Sequence, residues 1–101
     1  LSILRAMADA IQVSKLRWRL VNEAEQPLTI EESFYLGTKG GGSFFGKVGS
    51  FEEGYEMDAL VIDDSKIRHL KELSVKSRLE SIIYLSDQID ITHTFVAGNE
   101  I

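Results

Sequence analysis

Residues 46–64, GKVGSFEEGYEMDALVIDD, decide the fold of this 101-residue chain. The stretch contains a continuous apolar run at residues 59–62, which is typical of a β-strand buried on both faces. Two aspartates and a serine follow the run and predict the end of that strand. Before the run, Gly49 and Gly54 disfavour a helix, because each costs about 1 kcal/mol relative to alanine. The stretch therefore predicts a strand that is preceded by a non-helical segment.

Two helical patterns lie upstream of this strand. Residues 1–21 predict a helix, in which the residues that share one face are Ile3, Leu4, Met7, Ala10, Ile11 and Ser14. Residues 28–39 predict a second helix, which begins with a capping box formed by Thr29 and Glu32. The residues expected to form its buried stripe are Ile30, Phe34 and Leu36. The residues expected to end it are Gly37 and Gly40.

A third helix and a second strand are predicted downstream. Residues 74–88 predict a helix with Ser74 as its N-cap. The apolar residues at helical spacing in it are Val75, Leu79, Ile82 and Ile83. Residues 91–101 predict a strand followed by a turn at Gly98 and Asn99. Residues 67–74 leave a helical turn and irregular structure both open. The chain is therefore predicted to be α+β.

Composition restricts the classes of function. The formal net charge of −5 argues against a nucleic acid or an anionic membrane as the main partner. The absence of cysteine excludes disulfides and thiolate metal sites within this sequence. No apolar run approaches the ~20 residues of a membrane span, and the first residues lack a signal-peptide pattern. We expect a soluble, cytoplasmic protein. Because Leu1 is not methionine and Ile101 directly follows a predicted turn, we also expect a piece of a longer protein.

The glycine-rich segment is one residue short of a phosphate-binding loop. Gly41, Gly46 and Lys47 match that motif, but Val48 stands where a Mg²⁺-binding serine or threonine is required. The segment also follows a predicted helix rather than a strand. We therefore expect these glycines to turn the chain and not to bind a nucleotide.

Few residues could support other chemistry. His69 and His93 lack metal-ligand spacing, and both are expected on the surface. Asp58 is expected to accept hydrogen bonds from nearby backbone N–H groups in a structural role. The pairs of neighbouring acids at residues 31–32, 52–53 and 63–64 are expected to be solvated. Trp18 between Arg17 and Arg19 could stack on bases, although arginines near a helix C-terminus also favour the helix dipole. The residues alone therefore predict no catalytic centre.

The stretch that decides the fold resembles a recurring segment of the metal-dependent amidohydrolase superfamily. Gly49, Phe51, Gly54 and residues 58–62 fill its pattern. Met57 replaces the usual alanine, and a bulky residue there is typical of the guanine deaminase branch. Residues 2–15, 28–46 and 80–101 also resemble family segments, so that the resemblance covers nearly the whole chain.

The resemblance implies an α/β parent with a (β/α)₈ barrel, which takes roughly 250 residues. Residues 1–46 would be the last helices of this barrel. Residues 47–101 would be the C-terminal part of a composite β-sandwich, with one helix at about residues 75–86. The implied partners are the rest of the barrel, a purine substrate and a second copy in a homodimer, with no nucleic acid and no membrane.

The implied chemistry belongs to the parent enzyme. A zinc-bound water would attack the amino-bearing carbon of guanine and give xanthine and ammonia. In the family the zinc ligands lie upstream of the position that matches Leu1. We therefore expect no catalytic, cofactor-binding or metal-binding residue in this chain, and no activity from this chain alone.

Three alternatives remain open. The parent could be a related, chlorohydrolase-like amidohydrolase that acts on another aminopurine, a pterin or a triazine. The chain could be a non-catalytic interaction module that reuses this tail, which would predict a native methionine shortly before Leu1. It could also be a nucleotide-binding domain that uses residues 41–47.

Overall fold

The computed structural model describes residues 2–67 and 74–101. Its helices are α1 (Ile3–Leu20), α2 (Ile30–Tyr35) and α3 (Val75–Tyr84). Its strands are β1 (Ala59–Asp63), β2 (Asp90–Val96) and β3 (Asn99–Glu100). Three short helical turns complete the structure: a wide π-type turn at Leu36–Gly40, and 3₁₀ turns at Ser43–Phe45 and Ser86–Gln88. The predicted α+β character is confirmed. The open prediction for residues 67–74 lies largely outside the described residues.

Helix α1 forms as predicted and supplies most of the core. The Ser2 side chain caps its N-terminus by accepting a hydrogen bond from the Arg5 N–H. Its buried residues are Leu4, Met7 and Ile11. The predicted stripe was too wide, because Ile3 and Ala10 are exposed. They lie one position before Leu4 and Ile11, and a step of one residue turns a side chain about 100° around the helix.

Helix α2 begins with the predicted capping box. The Thr29 side chain accepts from the Glu32 N–H, and the Glu32 side chain accepts from the Thr29 N–H. Ile30 is buried as predicted, but Phe34 and Leu36 are exposed. Ser33 is buried instead, because its hydroxyl donates to the Met7 carbonyl at 2.9 Å and holds that face of α2 against α1.

Helix α2 ends at Tyr35, close to the predicted end at Gly37, and the wide turn after it ends at the predicted Gly40. The chain stays helical through the wide turn Leu36–Gly40 and then forms the predicted short turn at Ser43–Phe45. Gly37 packs closely against α1, since a Cβ there would lie 2.2 Å from the methyl group at the flexible end of Met7. The helical run ends at Gly46, whose φ of 115° a side chain would disfavour.

The three strands form one antiparallel sheet in the order β1-β2-β3. In the β1–β2 register, Val61 pairs with His93 and Ile62 with Ile91, which leaves a bulge at this point. The prediction that β1 is buried on both faces is wrong for this chain, because Leu60 and Val61 are 45% and 44% exposed. Of the β1 side chains, it is Ile62 that packs against the helical core.

The β2–β3 hairpin turns one residue earlier than predicted. The positive φ angles belong to Ala97 at 51° and Gly98 at 80°, and Asn99 already starts the returning strand. Two hydrogen bonds fix the turn to the residues before β1. The Ala97 N–H donates to the Asp58 carboxylate at 2.9 Å, and the Gly98 N–H donates to the Met57 carbonyl at 2.8 Å.

Helix α3 covers the core from the other side. Ser74 caps its N-terminus as predicted, and the fully buried Ile83 joins a cluster with Leu4, Met7, Ile11 and Ile30. Leu79 and Ile82 also contact this cluster, as their spacing predicted. Val75 does not, because it lies in the first turn of the helix, and it is 84% exposed.

Candidate functional site

The glycine-rich segment continues the helical run and ends it at Gly46. The Gly41 N–H donates within the helical run to the Leu36 and Thr38 carbonyls, and the Gly46 N–H donates to the Ser43 carbonyl at 3.4 Å. These amides are therefore occupied, whereas a phosphate loop points free amides at its ligand. The helix that precedes the glycines was correctly predicted. The expectation that no nucleotide binds remains a prediction.

The predicted surface position of His93 is confirmed. Its side chain is half exposed on β2, and Nδ1 lies 2.6 Å from Oε1 of Glu100 on the neighbouring strand. Among residues 2–67 and 74–101, His93 and Glu100 belong to no group of three side chains that could hold a metal ion. His69 lies outside the described residues.

Two aspartates near β1 have structural roles. The expected backbone hydrogen bond of Asp58 is confirmed by its contact with the Ala97 N–H, although Asp58 itself is exposed. Asp64 was predicted to be solvated, and this is wrong, because it is 3% exposed. Both of its oxygens accept hydrogen bonds from Arg78, at 2.9 and 3.0 Å, which join the end of β1 to α3. This pairing raises the pKa of Arg78 above its ordinary value.

Sequence reasoning missed the Asp64–Arg78 pair. The two residues are 14 positions apart and belong to different elements, so no local spacing connects them. The aspartate pair itself pointed to such a contact. Its second member, Asp64, comes directly after β1, at a place where the strand end packs against a helix. Burial of one carboxylate there requires a charged or hydrogen-bonding partner.

The arginines beside Trp18 are engaged by nearby acids. Arg17 Nε lies 2.6 Å from the Glu25 carboxylate, and Arg19 lies 3.9 Å from Glu23. The Trp18 indole N–H donates to the Glu23 carbonyl at 3.0 Å. Hydrogen bonding by Arg17 holds the pKa of Glu25 below its ordinary value, so that both groups are charged near neutrality. Because nearby acids neutralise Arg17 and Arg19, the surface around Trp18 is poorly suited to binding the phosphates of a nucleic acid.

No metal centre is evident in the described part of the chain. Within residues 2–67 and 74–101, no group of three histidine, aspartate or glutamate side chains is placed to hold an ion. The described residues therefore do not fit a zinc ion. In the same residues, no helix combines the length and apolar character that crossing a membrane requires.

An apolar groove of about 700 Å³ is the main concave feature between the helices and the sheet. Its walls come from α1, the wide turn, β1 and α3, and include Met7, Leu60 and Leu79. Ser50 and Phe51 from the loop before β1 form one edge, and Lys39 and Asp58 contribute charges to the lining. Most of the lining is apolar, which suits the groove to apolar side chains.

A second apolar surface lies on the outer face of α1. We define this outer face by Val13, Leu16 and Leu20, which are 60–78% exposed. The opposite face of the same helix holds the core residues Leu4, Met7 and Ile11. A helix that is apolar on two sides is suited to a position between two layers of a larger protein.

Comparison with known proteins shows the family to which this chain belongs. The sequence profile described as "Amidohydrolase family" matches residues 1–101. The chain belongs to the amidohydrolase family.

Its relatives within that family are guanine deaminases. The chain is 32% identical to the guanine deaminase of Dictyostelium discoideum over 107 residues, and 33% identical to that of Mus musculus over 113 residues. A crystal structure of guanine deaminase from C. acetobutylicum, which has guanine bound in its active site, matches with a TM-score of 0.88 and 47% identity. Each match covers 99% of this chain and 24% of the relative, so the chain spans about a quarter of their length. The predicted family resemblance is confirmed.

Proposed function

We propose that this chain is the C-terminal part of a guanine deaminase, an enzyme that converts guanine and water to xanthine and ammonia. One observation carries the proposal: 99% of the chain superimposes on a guanine deaminase structure with a TM-score of 0.88 at 47% identity. Identity at that level over nearly the whole chain supports a shared activity more strongly than a shared fold alone would.

The role proposed for this chain is support of the barrel. Residues 1–46 would be the last helices of the barrel, and residues 47–101 would be the C-terminal part of the composite sandwich. The two apolar sides of α1 support this division, because the core residues face α2 and α3 while Val13, Leu16 and Leu20 are free to meet another layer.

The reactive groups would then come from outside this chain. The parent would use a zinc ion, which polarises a bound water for attack on an amino-bearing ring carbon. The described residues do not fit this ion, so no catalytic step is assigned to them. Their contribution is to hold the strands and helices of the parent in register.

The remaining proposals concern the parent protein in the cell. It would act in the cytoplasm on a purine, as a step of purine catabolism, and it would be a homodimer. The net charge of −5 and the lack of a membrane-crossing helix in the described residues are compatible with this setting.

An assay of the full-length protein tests the proposal. We expect ammonia release from guanine, its loss after treatment with a zinc chelator and its recovery when zinc is returned. The comparison substrates, which represent the related amidohydrolases, are adenine, pterin and melamine. Turnover of one of these in place of guanine would indicate a related amidohydrolase. No turnover of any of them, from a zinc-loaded and folded full-length protein, would indicate an interaction module and would refute the proposal.

A further inference from the structure

Residues 47–56 form a loop that closes on itself, which we call the strap. The Glu56 N–H donates to the Lys47 carbonyl at 2.8 Å, and the Tyr55 N–H donates to the Glu52 carbonyl at 3.1 Å. No side chain of the strap is buried. Its internal shape is therefore set by backbone hydrogen bonds, and its close contacts with the helical region are those of Gly49 beside the Thr38 carbonyl and of Val48 beside Gly42.

A single side chain makes the charged attachment of the strap to the helical region. Lys39, on the wide turn, places its ammonium 2.7 Å from the Glu52 carboxylate and 5.5 Å from the centre of the Tyr55 ring. The hydrogen bond with Glu52 raises the pKa of Lys39, and the same bond lowers the pKa of Glu52. Both groups are thus charged near neutrality, and the contact weakens as salt screens it.

The two ends of the strap differ in how strongly the backbone is constrained. Gly46, directly before the strap, has a φ of 115°, and a Cβ there would meet nothing within 4 Å. Such a residue absorbs backbone rotation at low cost. At the other end, Met57 and Asp58 are fixed to the β2–β3 turn by hydrogen bonds. Any movement of the strap is therefore a swing about Gly46, with the β1 end as the fixed side.

The strap also forms an edge of the apolar groove. Ser50 and Phe51 line the groove, and Phe51 is 82% exposed. The lining of the groove also includes Lys39 and apolar side chains of α1 and β1. A swing of the strap changes the width of the groove without requiring any change in the helical core.

We propose that the strap is a movable edge of the groove, which Lys39 holds in its closed position. The proposal goes beyond the assignment of the chain to a guanine deaminase and does not depend on it. Segments with few buried contacts open locally at low free energy, and the strap fits that description.

Hydrogen exchange followed by mass spectrometry, on the protein at its full natural length, tests the proposal. The variant is Lys39→Met, which keeps the aliphatic stem and removes the charge. The matched control is Lys47→Met, because within residues 2–67 and 74–101 Lys47 makes no ion pair. For Lys39→Met we expect about two- to fivefold faster exchange of the Tyr55 and Glu56 amides, as for loss of an exposed ion pair. For Lys47→Met we expect exchange at the wild-type rate.

Salt provides the second arm of the experiment. Raising the ionic strength from about 0.05 M to about 1 M should accelerate hydrogen exchange of the Tyr55 and Glu56 amides in the wild type. It should leave the exchange rates of the same amides unchanged in Lys39→Met. The amides of α1 should not respond in any of these conditions. Equal rates in both variants and the wild type would overturn the proposal. Acceleration of the α1 amides together with the strap would also overturn it, since Lys39 would then stabilise the whole fold and not a local edge.

Discussion

The helical region and the sheet of this chain bury their apolar side chains to very different extents. The buried cluster consists of residues from α1, α2 and α3, and Ile83 at its centre has no exposed surface. No residue of the three strands is buried, and Val61 in the middle of β1 is 44% exposed. The sheet depends instead on backbone pairing and on the hydrogen bonds of Met57 and Asp58 to the β2–β3 turn. Stability in the helices should therefore follow side-chain volume, and stability in the sheet should follow backbone geometry.

The largest difference between the two regions should come from truncating one apolar side chain in each. Ile83→Ala should lower the free energy of unfolding by about 2–5 kcal/mol, because it leaves a cavity in the core. Val61→Ala should lower it by less than about 1 kcal/mol, since the side chain is already partly in water. Equilibrium urea unfolding measures both values. Equal losses would show that the sheet has a core of its own and would contradict the comparison.

In the loop between the two regions, the cost of replacing a glycine should depend on its φ angle and on the atoms that a Cβ would meet. Gly49 has a φ of 83°, and a Cβ there would lie 2.4 Å from the Thr38 carbonyl oxygen. Gly49→Ala should therefore destabilise by about 1–3 kcal/mol through combined strain and overlap. Gly54→Ala, at φ 85° but with its nearest atom at 3.9 Å, should cost only about 1 kcal/mol in the same urea experiment. A larger loss for Gly54→Ala would exclude the close approach at Thr38 as the cause.

Loss of a helix N-cap should lower the free energy of unfolding more than loss of a hydroxyl group on a strand. Thr29→Ala removes the acceptor for the Glu32 N–H and should cost about 1 kcal/mol. Thr92→Ala removes an exposed hydrogen bond from β2 to the Val61 carbonyl and should cost about 0.5 kcal/mol or less. Differential scanning calorimetry of the pair gives the ranking, and a reversed order would show that this strand contact is stronger than its exposure indicates.

One substitution in the sheet should stabilise the protein. Ala97 has a φ of 51°, a conformation that glycine adopts without steric cost. Ala97→Gly should raise the free energy of unfolding by about 0.5 kcal/mol, because relief of strain exceeds the added entropy of the unfolded chain. The same substitution at Ala10, within α1, should instead cost about 1 kcal/mol. Thermal unfolding of both variants distinguishes a strained turn from a general effect of glycine.

The smallest effect should be a pH dependence that links α2 to α3. Lys76 lies 2.6 Å from Glu31, and this hydrogen bond lowers the pKa of Glu31 below its ordinary value of 4.5. A lowered carboxyl pKa adds stability at neutral pH, and that contribution is lost as the pH falls below 4.5 and Glu31 becomes protonated. Glu31→Gln should flatten this part of the profile of melting temperature against pH. An unchanged profile would mean that the pair contributes nothing measurable.

The sequence was sufficient for features that depend on local chemistry. The capping box of Thr29 and Glu32 and the N-cap at Ser74 were predictable, because each requires particular side chains at fixed spacing. The existence of β1 followed from its apolar run. These features need no knowledge of distant parts of the chain.

Features that depend on tertiary contacts were not predictable in the same way. Ser33 is buried in place of Phe34 because it reaches the Met7 carbonyl, 26 positions away. Gly37 follows the end of α2 as predicted, but its contact with Met7 of α1 could not be read from local spacing. The Asp64–Arg78 pair depends on how β1 meets α3. Hydrophobic spacing shows which faces of a helix are apolar. It does not show which of the two apolar faces of α1 is buried within this chain.

The outer face of α1 also has a consequence for the fate of the chain in a cell. If this segment were produced without its surroundings, Val13, Leu16 and Leu20 would be presented to chaperones and proteases, which bind exposed apolar side chains of incomplete proteins. Truncated products would be removed because this surface, which the proposed parent would cover, stays exposed in them. Helix α1 would thus act as a signal that distinguishes assembled polypeptide from orphaned polypeptide.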